Sequence, residues 1–87
     1  MADYRVSYSR AARKEIDIVS AKLALQLVDA ISDLGQNPRP AGCKKLAGAA
    51  DVWRIRVRDF RVIDEVNDRA RKVLVTRVRH RREVCRD

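Results

Sequence analysis

Cysteine and histidine are scarce in this 87-residue chain: two cysteines, Cys43 and Cys85, and a single histidine, His80. Neither cysteine belongs to a CxxC pair, so the ligand set and spacing speak against a zinc site. A single Cys43–Cys85 disulfide stays open, but with no signal peptide at the start the expectation is a cytoplasmic chain with reduced thiols. No apolar run approaches the ~20 residues of a membrane span. Internal repeats and low-complexity linkers are also missing, so residues 1–87 read as one small domain with a modest core. The hydrophobic content of 46% is enough to expect folding rather than disorder.

What the chain has in abundance is arginine. The formal net charge is +8, from fifteen Arg and five Lys against twelve acidic residues. Residues 51–87 carry twelve of those bases and seven acids, so the second half holds the larger excess. Arginine grips phosphate bidentately and stacks on bases, which favours a nucleic-acid partner over charge kept only for solubility.

Alternation at Tyr4, Val6 and Tyr8 marks a short first strand. Ser9 is placed to cap a helix. From Ala11 to Leu34 there is neither Pro nor Gly, and Ala12, Ile16, Val19, Leu23, Leu27, Ala30, Ile31 and Leu34 recur at helical spacing. This predicts a helical hairpin that breaks near Val19–Lys22. Gly35, Asn37 and Pro38 end it, and residues 36–51 read as a loop holding Lys44 and Lys45. Two strands follow over 52–67. A turn at Asn67–Arg71 leads into a last strand, Lys72–Arg79, with Leu74, Thr76 and Val78 expected on the core face. Residues 80–86 read as a short helix or tail. The expected fold is α+β: a four-stranded, mainly antiparallel sheet with an N-terminal helical hairpin packed on one face.

The segment Val-Trp-Arg-Ile-Arg-Val-Arg-Asp-Phe-Arg-Val (52–62) concentrates the chemistry. Alternation turns Trp53, Ile55 and Val57 to the core and Arg54 and Arg56 to the other side. If Arg58-Asp59 is a two-residue turn, Val57 pairs with Phe60 and Arg56 with Arg61, so Arg61 joins them. Arg77 and Arg79 extend this face, and His80-Arg81-Arg82 close it. Clustered guanidiniums repel one another and are usually kept for an anionic partner. Such a face can bind nucleic acid, with Lys44, Lys45, Arg58, Arg77, Arg79 and Arg82 as candidate contacts, or it can cleave RNA without a metal. Cleavage requires deprotonation of a ribose 2′-hydroxyl, stabilisation of a pentacovalent phosphate and protonation of the leaving 5′-oxygen. Arginines stabilise the charge but stay protonated. His80 is the one side chain of a type that titrates near neutrality.

Three ordered segments, Cys-Lys-Lys-Leu-Ala-Gly (43–48), Trp-Arg-Ile-Arg-Val-Arg-Asp-Phe-Arg-Val-Ile (53–63) and Val-Arg-His-Arg-Arg-Glu-Val (78–84), make the chain resemble the RelE/ParE superfamily of bacterial toxins, most closely its RelE branch. The resemblance implies a microbial RNase-like fold and a type II toxin–antitoxin pair. It implies a toxin that enters the ribosomal A site and cuts mRNA by 2′-hydroxyl attack, using no metal or cofactor. Expected partners are a RelB-like antitoxin, the 70S ribosome with mRNA, and operator DNA only through the antitoxin complex. By this resemblance Arg54 and Arg56 match basic strand residues at the reaction centre, Arg61 the catalytic arginine after the aromatic Phe60, and Arg81 the arginine at the scissile phosphate. His80 lies in the branch's His-Arg-Arg-Glu-Val segment, and Cys85 stands where a tyrosine is usual. Asp64 also replaces a usual tyrosine, and the strand register puts it on the core face opposite Trp53. The catalytic set expected is therefore Arg54, Arg56, Arg61, His80, Arg81 and Cys85. The competing expectations are a ParE-like inhibitor of DNA gyrase, or a catalytically weakened toxin that binds antitoxin or RNA.

Overall fold

The computed structural model describes residues 3–46 and 51–80. A strand, β1 (Arg5–Tyr8), leads into two helices, α1 (Arg10–Asp17) and α2 (Ala21–Ser32). Four more strands follow: β2 (Lys44–Lys45), β3 (Val52–Val57), β4 (Phe60–Asn67) and β5 (Lys72–His80). They form one five-stranded sheet in the order β1-β5-β4-β3-β2. β1 runs parallel to β5, and the other pairings are antiparallel.

Ser9 performs the capping expected of it and one further task. Its hydroxyl accepts the Ala12 N–H at 3.0 Å and donates to the Thr76 carbonyl at 2.8 Å, while its own N–H reaches the Val75 carbonyl. The start of α1 is thereby tied to β5. A second serine, Ser20, caps α2 through the Leu23 N–H. The hairpin breaks at 18–20, where β-branched Ile18 and Val19 precede this cap. A 3₁₀ turn, Asp33–Gly35, ends α2. There the Gly35 carbonyl accepts the Tyr4 N–H, and a Cβ on Gly35 would come within 3.0 Å of the Tyr4 oxygen.

The core lies between the helices and one sheet face. Ala12, Leu27, Ile31 and Leu34 come from the helical side, and Ile55, Phe60, Val62, Val66, Val73, Val75 and Val78 from the sheet. Ile16, Val19, Leu23, Trp53 and Val57 pack around them, as the helical and strand periodicities require. At about 25 cal/mol per Å² of apolar area, each fully buried Leu, Ile or Val contributes roughly 1.5–3 kcal/mol.

Two expectations need correction. The sheet has five strands rather than four, because Lys44 and Lys45 pair with Arg54 and Trp53. Two lysines show no alternation, so nothing in their sequence separates them from a loop. In β5, the core positions are Val73, Val75 and Val78, while Leu74 and Thr76 are only half-buried. The register slips at Ile63/Asp64, where Ile63 faces Arg77 and Asp64 faces Val75. Thr76 is the extra residue of this bulge, and its hydroxyl bonds the Ile63 carbonyl. The extra residue reverses the strand's inward phase, so a uniform alternation gets one half of β5 wrong.

Candidate nucleic-acid interface

Away from the helices, the sheet presents two rows of side chains. The hairpin register pairs Arg56 with Arg61, and β4 pairs Arg61 with Arg79. Arg56, Arg61 and Arg79 thus stand side by side on three neighbouring strands. The adjacent row runs Lys44, Arg54, Ile63, Arg77. Directly opposed residues place their Cβ atoms ~5 Å apart. Guanidiniums rooted that close together repel one another unless their flexible stems splay the charges apart. The bulge contributes here, because the phase change it imposes turns Arg77 and Arg79 to the same side as Arg54, Arg56 and Arg61.

Arg61 occupies the centre of the first row, and its Nε is buried without an acceptor. A shielded guanidinium donor with nothing to bond is costly, and an anion arriving on this face would satisfy it. Arg54, Arg56 and Arg61 have no carboxylate partner among the described residues. Arg77 and Arg79 do: Glu15 of α1 bonds Arg77 Nη2 at 2.8 Å and Nε at 3.1 Å, and lies 3.8 Å from Arg79 Nε. The other Glu15 oxygen accepts the Val78 N–H at 2.7 Å.

The remaining candidates divide. Lys44 stands beside Arg54 on the arginine face, but Lys45 pairs with Trp53 and so lies on the helix-facing side. Arg58 is exposed in the β3–β4 turn with a backbone φ of 55°. His80 does not join the arginines. It pairs with Phe60, and the two rings meet edge to face at 5.3 Å between centroids. Strand alternation puts it on the opposite face from Arg61 and Arg79, which corrects the expectation that it closes the arginine patch. Arg81, Arg82 and Cys85 lie outside the described residues, as does the helix or tail expected over 80–86 beyond His80. Cys43 is a free thiol. No three His, Cys, Asp or Glu side chains gather as a metal site among the described residues, and no described helix is long and apolar enough to cross a membrane.

One contact was not legible in the sequence. Arg39, in the loop after α2, stacks over Trp53 at 5.0 Å and makes a fork of hydrogen bonds to Asp68, whose carboxylate also accepts the Tyr4 hydroxyl at 2.6 Å. The Arg39 bond holds the Asp68 carboxyl below its usual range. Asp64 sits opposite Trp53, as the register required, and is fully buried with both carboxylate oxygens unbonded. Burial pushes its pKa up to about 7, opposed only in part by its own backbone N–H and, least of all, by the Arg39 charge. No arginine among the described residues bonds it, and burial favours its protonated form.

Comparison with known proteins agrees with this architecture. Residues 6–85 match the family of the ParE toxin of type II toxin–antitoxin systems, parDE. No curated protein matches the chain. Among solved structures, the archaeal RelE–RelB complex from Pyrococcus horikoshii OT3 superposes with a TM-score of 0.81 at 24% identity, covering 93% of this chain and 97% of the other. The RelBE2 toxin–antitoxin complex from Mycobacterium tuberculosis gives 0.79 at 25% identity, covering 91% and 99%. The intact E. coli RelBE complex gives 0.74 at 27% identity, covering 86% and 93%. The chain belongs to the ParE toxin family of type II toxin–antitoxin systems, within the RelE/ParE superfamily.

Proposed function

We propose that this toxin is a ribosome-dependent endoribonuclease that cuts mRNA in the A site by metal-free attack of a ribose 2′-hydroxyl. The observation that carries the reading is the cross-strand row Arg56–Arg61–Arg79, flanked by Arg54 and Arg77, with the Arg61 Nε buried and unsatisfied at its centre. Attack by the 2′-oxygen on phosphorus forms a pentacovalent intermediate with added negative charge. Expulsion of the 5′-oxygen then leaves a 2′,3′-cyclic phosphate. Guanidiniums fixed on a rigid sheet stabilise that charge without reorganising, and removing one such donor typically costs 10²- to 10³-fold in rate. Arg54, Arg56 and Arg61 take this role, with Arg81 at the scissile phosphate by the family resemblance. Proton transfer falls to the C-terminal segment that carries Cys85 or to groups of the ribosome, since His80 faces the other way. Exposed Ile18 and Leu25 on the helical hairpin, together with the high positive charge, suit an acidic RelB-like antitoxin with an amphipathic segment.

The deciding experiment is tightly controlled induction with mapping of mRNA 5′ ends, followed by cleavage of programmed mRNA with and without ribosomes. New in-frame cuts that require ribosomes are expected; growth arrest without them sinks the proposal. The match to the ParE family favours a second reading, inhibition of DNA gyrase. Stalled gyrase–DNA complexes and an SOS response, with intact mRNA, would select it.

A further inference from the structure

Two acidic residues among the described ones lie on the arginine side: Glu65, exposed on β4 in the row beyond Ile63, and Glu15, which reaches in from a helix and bonds Arg77. β1 stops at Tyr8, opposite Val75, so beyond that point this edge of β5 has no neighbouring strand among the described residues. Glu15 fills that gap: one oxygen takes the Val78 N–H, and the other holds Arg77 and lies near Arg79. With both oxygens engaged, and one of them on the backbone, its position is fixed relative to the strand that carries both arginines. We propose that Glu15 is a positioning residue that acts as a built-in counter-anion, confining RNA phosphate to the Arg54–Arg56–Arg61 cluster by keeping Arg77 out of phosphate contact; this rests on the nuclease reading above.

The physical basis is competition. A phosphate can recruit Arg77 only by displacing a carboxylate already held in a two-nitrogen grip and anchored to the backbone. Arg54, Arg56 and Arg61 present no such competitor, so the phosphate settles over them.

The test uses a short single-stranded RNA methylated at every 2′-oxygen, so that no attacking hydroxyl is present. Its affinity is measured between about 50 and about 200 mM salt, where each phosphate contact contributes about −0.7 to the slope of log K against log salt. Glu15→Gln keeps an oxygen for the Val78 N–H but removes the charge. It is expected to bind several-fold more tightly at low salt, with a slope steeper by about 0.7, and adding Arg77→Ala to it should abolish the gain. A wild-type slope in Glu15→Gln, or a gain that survives the second substitution, overturns the proposal. A wild-type measurement covers the case of a misfolded variant. On RNA addition the Arg54, Arg56 and Arg61 Nε–H resonances should move while that of Arg77 stays in place, and a shifting Arg77 signal overturns the role of Glu15. Wild-type protein that ignores this RNA even at low salt overturns the phosphate placement on which the role of Glu15 rests, whereas the nuclease reading stands or falls on cleavage of ribosome-programmed mRNA; binding with the wrong slope overturns only the inference about Glu15.

Discussion

At the scale of single residues, Asp64 and Arg61 show opposite ways of placing a polar group in a small fold. Asp64 is buried, and burial favours its protonated form. Its folded pKa of about 7 exceeds the unfolded value of 3.8, so the native state binds the extra proton. Stability is therefore full below the unfolded value, falls as pH rises from about 4 to about 7, and levels off above. Asp64→Asn, isosteric with the protonated form, should abolish that slope and raise the melting temperature above pH 7 while changing little at pH 4. Melting curves across this range check it, and a wild-type profile flat from pH 4 to 8 would contradict it. Arg61 is charged and shielded, with an unmet donor. Arg61→Ala removes both the donor and a source of repulsion, so the fold should keep or slightly gain stability while cleavage on programmed ribosomes falls by about 10²- to 10³-fold. Circular dichroism and a cleavage time course, measured on the same preparation, separate the two effects.

Among the elements, the β3–β4 hairpin and the β5 bulge determine what the arginine face looks like. The turn places Arg58 at φ 55°, a conformation that costs an L-residue roughly 1 kcal/mol and glycine nothing. Arg58→Gly should therefore raise stability by up to about 1 kcal/mol, seen as a higher denaturant midpoint. If cleavage falls at the same time, the charge of Arg58 contacts RNA; unchanged cleavage would remove it from the contact set. Ser9 links two elements, capping α1 and bonding the bulged segment of β5. Ser9→Ala should cost about 1 to 2 kcal/mol, the upper range for a cap, because the Thr76 carbonyl loses its donor as well. Urea unfolding measures this, and a loss within a few tenths of a kcal/mol would show that the tie between α1 and β5 is slack.

For the molecule as a whole, a net charge of +8 on so small a domain, with exposed Ile18 and Leu25 on one side and stacked arginines on the other, describes a chain suited to a partner. An acidic antitoxin present at about a thousand times its dissociation constant would stabilise the toxin by about 4 kcal/mol. Co-expression with the product of an adjacent small gene should accordingly yield a complex that melts well above the isolated toxin. If the two melt at the same temperature, that partner is excluded.

The sequence alone determined the strand and helix periods, the Ser9 cap, the break in the helical hairpin, the Arg58-Asp59 turn and, through that turn, the meeting of Arg54, Arg56 and Arg61. It also placed Asp64 opposite Trp53. All of these follow from local alternation and short-range register, which need no knowledge of distant contacts. Tertiary structure alone decided the rest. The Thr76 bulge is invisible in β5 because an extra residue changes the phase without changing composition, yet it selects Val73 and Val75 over Leu74 for the core. The same register brings His80 to Phe60, on the opposite face from Arg77 and Arg79, which alternation in the sequence had already turned outward. Lys44 and Lys45 became a strand only because β3 was there to pair with them. The contact of Glu15 with Arg77 spans sixty-two positions in the chain, and that of Arg39 with Asp68 spans twenty-nine. Bonds of that kind exist only after the helices have packed and the sheet has closed, because no local preference of either partner encodes the other.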